Sequence, residues 1–215
     1  MVQKVMSLLH ETSPYERFLA EGIGFHPKGP GSDHPVFARE ISRLSPELIV
    51  EVGTWTGASA MHMARVARGL GLTTEILCVD SFLGGAEHWT LPRQRSELRL
   101  EFGHPQIYRQ FLANVVHAGL EEIITPFPCT SAHAARILTR EGVRCDIVYL
   151  DAGHEYRDVL TDIQDYWTLV RDGGALIGNG FRPDCPGVRT AAREFGATIG
   201  QDPEVDGDKW VLRKD

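Results

Sequence analysis

The stretch Leu48-Ile49-Val50-Glu51-Val52-Gly53-Thr54-Trp55-Thr56-Gly57 decides how this chain is read. Its first five residues are an apolar run broken only by Glu51, the pattern of a short strand buried on both faces. Gly53 allows a sharp turn with close backbone approach, and Gly57 lets a helix start tightly against the strand. Ala58 to Leu70 then has the periodicity of an amphipathic helix, closed by Gly69 and Gly71. Strand, glycine turn and helix make the first unit of an α/β fold.

The same unit recurs downstream. Strands are expected at Ile76–Asp80, Ile123–Phe127, Cys145–Asp151 and Ala175–Gly178. Helices are expected at Pro105–Ala118, Ala132–Glu141, Arg157–Val170 (stopped by Asp172-Gly173-Gly174) and Pro186–Phe195. Thr198–Ile199 and Lys209–Leu212 read as the last strands. Upstream, Glu11–Gly24 has a helical look, a Gly/Pro-rich loop follows, and His34–Leu44 makes a short helix. This alternation predicts a Rossmann-like, doubly wound, mostly parallel sheet with helices on both faces. Residues 45–215 form that domain, and residues 1–44 form a helical and loop extension placed to cap an acceptor pocket.

Composition narrows the function. The 215 residues carry 22 Lys+Arg against 29 Asp+Glu, a net charge of −7, which disfavours nucleic acid as a partner. No run approaches the roughly 18 apolar residues of a membrane span, and Glu11 interrupts the amino-terminal segment before a secretory apolar region develops. Four scattered cysteines without a Cys-x-x-Cys pair point to a reduced, cytoplasmic protein. The amino-terminal helices are the candidate surface for a homo-oligomer.

In such sheets, ligands bind beyond the carboxyl ends of the strands. Glu51, Gly53, Thr54, Trp55 and Gly57 form one such end; Asp80, Ser81 and Phe82 form the next. Asp80 is placed either to accept hydrogen bonds from both ribose hydroxyls of an adenosine or to cap a turn. Phe82 packs either on adenine or in the core. A dinucleotide lays its anionic pyrophosphate over such a loop, where Glu51 would repel it, whereas the sulfonium and ammonium of S-adenosylmethionine suit a carboxylate. A nicotinamide-dependent oxidoreductase is thus the weaker reading.

EVGTWTG (51–57), VDSF (79–82), DIVYLDAGHEY (146–156) and VRDGGALIGNGF (170–181) together resemble the class I S-adenosylmethionine-dependent methyltransferases. Within them, the chain is similar to the group that includes macrolide-sugar and rhamnosyl O-methyltransferases and cephalosporin hydroxylase-like proteins. The resemblance spans roughly residues 45 to 200 and implies a seven-stranded sheet and O-methylation of a small hydroxylated acceptor, a sugar or secondary metabolite. It implies Asp151 as a divalent-metal ligand and His154 as general base, and it places Thr130 and Ser131 near adenine, although Ser131 also suits a helix cap.

The chemistry of Asp151 and His154 makes sense independently. The sulfonium already activates the methyl carbon, so a catalyst mainly aligns an alcohol and takes its proton, which an imidazole does at neutral pH. The resemblance also implies further metal ligands after the fifth strand, usually two adjacent acids or an acid and an amide. The chain has Asn179 and Gly180 there, so Asp151 and Asn179 are left as a weak set for Mg2+. A homologue that is non-catalytic or works without metal is the alternative reading. The long connection from Ser81 to Gly103, with Gly84-Gly85 as hinge and His88 and Trp89 facing the acceptor, reads either as a lid or as a surface loop.

Overall fold

A computed structural model describes residues 4–215. Of the expected extension 1–44, residues 1–3 lie outside the described residues. In chain order the elements are α1 (Lys4–Leu9), α2 (Pro35–Leu44), β1 (Leu48–Val52), α3 (Ala58–Gly69), β2 (Glu75–Asp80), α4 (Ala86–Thr90) and α5 (Pro92–Arg95). Next come α6 (Ile107–Ala118), β3 (Ile124–Pro128), α7 (Ser131–Arg140), β4 (Cys145–Leu150) and α8 (Tyr156–Trp167). The chain ends with β5 (Val170–Gly178), α9 (Pro186–Thr198), β6 (Glu204–Asp206) and β7 (Lys209–Arg213).

The seven strands form one sheet in the order β3-β2-β1-β4-β5-β7-β6. Strands β1 to β5 run parallel, and β7 inserts antiparallel between β5 and β6. The strand order reverses between β1 and β4, which is where a crevice opens at the carboxyl edge.

Two apolar layers cover the sheet because successive strand residues point to opposite faces. Ile49, Ile76, Ile147 and Ile177 pack under α2, α3 and α6 with Phe37, Met61 and Phe111. Val50, Leu77, Val148 and Leu176 pack under α7, α8 and α9 with Leu138, Tyr166 and Trp210. Glu51 lies on the first of these faces, in one row with its cross-strand neighbours Cys78 and Tyr149.

Three expectations for the chain path are corrected. Glu11–Gly24 contains turns rather than a helix, because only seven residues separate Pro14 from Gly22, too few to repay helix nucleation. Its apolar side chains still pack: Tyr15 is buried and donates to the Ile124 carbonyl at 3.1 Å. Strand β5 begins at Val170 rather than Ala175. Arg171 to Gly174 bulge opposite Asp146, and the bare Gly174 fits against the Asp146 carbonyl where a Cβ would clash. Thr198–Ile199 is not a strand: α9 runs to Thr198, whose hydroxyl donates to the Phe195 carbonyl, and β6 forms only after the Gly200 turn.

The connection after β2 is folded into α4, α5 and a 3-10 turn (Ser96–Leu98), anchored by the wholly buried Leu98. No helix among the described residues is long and apolar enough to cross a membrane.

Candidate active site

The loop after β1 is shaped by close backbone packing. Gly53 has φ +87°, donates its N–H to the Val79 carbonyl at 2.8 Å and lies flush on the Asp151 backbone, where a Cβ would overlap the Asp151 carbonyl. Gly57 has φ +86° at the start of α3, and a Cβ there would meet the Phe111 ring at 3.0 Å. Trp55 also adopts a left-handed conformation, with φ 52°. Its N–H donates to Asp80 Oδ2 at 2.8 Å, while Phe82 N–H donates to Asp80 Oδ1 at 2.7 Å. Asp80 therefore ties the ends of β1 and β2 together, and each oxygen keeps a lone pair for a ligand. Burial raises its carboxyl above the usual carboxylate range. The Trp55 ring stacks on His88 of α4, with centroids 4.4 Å apart.

Glu51 does not reach the crevice. Its side chain is wholly buried on the inner face, accepting hydrogen bonds from Thr54 Oγ1 at 2.9 Å and from Ser59 Oγ. Burial raises its carboxyl to about 7, opposed by those hydroxyls and reinforced by the Asp151 charge. Of the direct or water-bridged contact expected between Glu51 and a ligand, this burial disfavours the direct one: Glu51 and Thr54 brace the loop from beneath. A partly protonated acid beneath the loop repels an anion above it less than a carboxylate in the crevice would.

Phe82 belongs to the core, its ring against Tyr108 and Phe111 at 4.9 and 5.3 Å. Ser81 accepts from the Leu83 N–H. Thr130, not Ser131, caps α7, accepting from the His133 N–H at 3.4 Å. Ser131 donates to Asp162, whose carboxyl burial raises to about 6. Ser131 is thereby tied to Asp162, which lines the cleft beside Asp151 and His154, while Thr130 is exposed.

On the other side of Gly53, Asp151 anchors a closed ring of side chains. Its Oδ2 accepts from Tyr149 Oη at 2.8 Å and its Oδ1 from Asn179 Nδ2 at 2.8 Å. Lys209 Nζ completes the ring, donating to Tyr149 Oη at 3.0 Å and to Asn179 Oδ1 at 2.8 Å. Lys209 is wholly buried, its ammonium 5.8 Å from the Phe37 ring centroid and 5.2 Å from that of Tyr149. Burial pushes the Asp151 carboxyl up and the Lys209 ammonium down, while the opposite charge of each counteracts this for the other. Sequence reading missed Lys209 and Tyr149; the available signal was a lysine opening the apolar run Trp210-Val211-Leu212.

His154 is exposed and follows Asp151 by three residues. Gly180 is bare because the imidazole lies over it: a Cβ at Gly180 would sit 2.9 Å from His154 Cδ2 and 3.2 Å from Nε2. Asp151, His154 and Asn179 line one cleft with Trp210 and Val188.

The residues do not fit a divalent metal. Asn179 turns its N–H toward Asp151 and its carbonyl oxygen already serves Lys209, Gly180 offers nothing, and one carboxylate remains. The expected pair Asp151 and Asn179 is thus corrected from metal ligands to hydrogen-bond partners.

A parallel sheet ending in an antiparallel β7, with a glycine loop after β1 and an acid closing β2, defines the class I S-adenosylmethionine-dependent methyltransferase fold. Solved structures agree. The chain is similar to the O-methyltransferase NovP (18% identity, TM-score 0.58, covering 83% of this chain and 76% of that one). It is similar to the O-methyltransferase TomG from Streptomyces achromogenes, involved in tomaymycin synthesis and solved with S-adenosylmethionine (14%, TM-score 0.57, 89% and 82%). It is also similar to CalS11, a TDP-rhamnose 3'-O-methyltransferase of calicheamicin biosynthesis (17%, TM-score 0.57, 83% and 76%). No curated protein sequence matches the chain. A family profile described as a methyltransferase domain matches residues 50–180, more than half of the chain, which therefore belongs to that methyltransferase family.

Proposed function

We propose that this methyltransferase moves the methyl group of S-adenosylmethionine to a hydroxyl of a small molecule, a sugar or secondary metabolite. One observation carries the reading: Gly53 packs directly on the Asp151 backbone, so the donor loop and the Asp151–His154 segment open onto the same sheet edge. Donor contacts are assigned to the backbone around Gly53, Trp55 and Gly57, to the free lone pairs of Asp80 for the ribose hydroxyls, and to Ser81 and Thr130 at the rim. The stacked Trp55–His88 pair forms a wall of that pocket.

In the reaction, His154 takes the acceptor's hydroxyl proton as the oxygen attacks the methyl carbon. The carbon–sulfur bond breaks, its electron pair neutralises the sulfonium, and imidazolium and methyl ether remain. Asp151, held by Tyr149 and Asn179, supplies the negative charge that steadies the imidazolium. The segment 28–31 is assigned as a cover that bridges the two sides: Lys28 N–H donates to Thr56 Oγ1 of the donor loop at 2.8 Å, and a Cβ at Gly31 would lie 3.5 Å from Lys209 Nζ. The free thiols of Cys78, Cys129, Cys145 and Cys185 support work in the reducing cytoplasm. The acidic surface favours a small-molecule partner over nucleic acid.

Calorimetric titration with S-adenosylmethionine and with NADH tests this. The methyl donor is expected to bind and to raise the melting temperature, as a ligand of the native state does, and NADH to do neither. No binding of the donor at millimolar concentration, or preferential binding of NADH, would overturn the reading.

A further inference from the structure

We propose that Lys209 is the built-in cation of this site, standing where a divalent metal would draw on Asp151 and Asn179, so that the chain positions its acceptor groups without metal. Its ammonium is wholly buried and lies within hydrogen-bond distance of two neutral oxygens, Asn179 Oδ1 and Tyr149 Oη. Both residues then donate to the two oxygens of Asp151. One positive charge thus reaches one carboxylate through two relays that leave no Asp151 oxygen without a donor. That is the work of a metal ion bridging carboxylate and amide, done here by a point charge on a flexible stem.

The surroundings suit an ammonium. The Phe37 ring centroid lies 5.8 Å from it, Tyr149 meets it through the hydroxyl oxygen, and Glu51 and Asp208 add to the attraction that Asp151 exerts on it. A dication placed between Asp151 and Asn179 would face the Lys209 charge at close range in a poorly hydrated setting, where repulsion is weakly screened. The register explains the placement: Trp210 pairs with Gly178, so Lys209 opens β7 directly beside Asn179 at the end of β5. Lys209 is a positioning residue, since it acts on Asp151 only through Tyr149 and Asn179.

The inference deepens the functional reading above and rests on it for the role of Asp151. Its test therefore avoids turnover: Mn2+ is titrated into the purified protein, and its free and bound forms are counted by electron paramagnetic resonance. The wild type is expected to show no saturable binding up to about 1 mM. Lys209→Met, which keeps the stem and removes the charge, frees Asn179 Oδ1 and Tyr149 Oη and takes away the ammonium that would repel a dication beside Asp151. It is expected to gain Mn2+ affinity at least about tenfold, and a second change, Asp151→Asn, to abolish the gain.

Stoichiometric, Asp151-dependent Mn2+ binding by the wild type would overturn the proposal, as would a folded Lys209→Met that gains no affinity. Should Lys209→Met not fold, the wild-type titration decides alone. Failure of S-adenosylmethionine to bind would sink the functional reading while leaving the Mn2+ result legible.

Discussion

The two halves of the crevice are built by different means. The donor half, at the ends of β1 and β2, is a backbone construction: Gly53 and Gly57 in left-handed conformations, and Trp55 and Phe82 N–H groups held by Asp80. The acceptor half, at the ends of β4, β5 and β7, is a side-chain construction in which Asp151, Tyr149, Asn179 and Lys209 satisfy one another. Backbone sites tolerate changes of side chain but not of chain path. Side-chain networks keep their chain path and fail when one member is lost. Replacements in the two halves should therefore fail differently.

The largest effect is expected on the acceptor side. His154→Ala removes the proton acceptor while Gly180 beneath it keeps its conformation. Turnover should fall by about 10²–10⁴, with donor affinity within about twofold of wild type, because the imidazole lies over Gly180, on the acceptor side. Single-turnover kinetics with calorimetry separate the two quantities. A loss shared equally between affinity and turnover would merge the halves into one unit.

On the donor side, Gly53→Ala should damage fold and donor affinity together. A Cβ there overlaps the Asp151 carbonyl, a backbone atom that cannot swing aside, on a residue already at φ +87°. A cost of about 3 kcal/mol in urea denaturation is expected, combining overpacking with left-handed strain. Gly119→Ala is the control: it also has positive φ, 62°, but meets no atom within 4 Å, so only the conformational cost of about 1 kcal/mol applies. Equal costs at the two positions would show that the Gly53–Asp151 contact is dispensable.

This contrast also explains how much could be read before the structure. The donor half is legible because its requirements are local: an apolar run, a glycine where the turn needs one, and an acid ending the next strand. Asp151, His154 and Asn179 are legible for the same reason, each lying just past a strand end. Lys209 is not, because it reaches Asn179 only through the antiparallel return of β7, a pairing of residues 30 positions apart. The inward turn of Glu51 was equally hidden. Alternation along β1 assigns its face, but only the fold brings Thr54 and Ser59 back over it. At 11–24 a helical pattern lost to the short run between Pro14 and Gly22, and the bulge at Arg171–Gly174 depends on room beside Asp146.

Glu51→Gln is the smallest of these effects and asks whether the donor half is braced from beneath or contacts its ligand directly. Burial raises the Glu51 carboxyl from the ordinary 4.5 to about 7 in the folded chain. Between those values the native state holds a proton that the unfolded chain has released. Stability therefore falls as pH rises through this window, and the full cost is present above pH 7. The ceiling is about 3 kcal/mol, from 2.5 pH units at 1.36 kcal/mol each. Glutamine accepts a hydroxyl hydrogen bond without ionising, so the variant should match the wild type near pH 4 and exceed it by up to about 3 kcal/mol at pH 8. Comparing the two proteins cancels Asp162, which burial raises to about 6 and which titrates in both. Denaturation curves measured from pH 4 to 8 should diverge, with donor affinity changed by less than about threefold. Parallel curves would remove the buried ionisation, and a hundredfold loss of donor affinity would place the Glu51 carboxylate in the crevice.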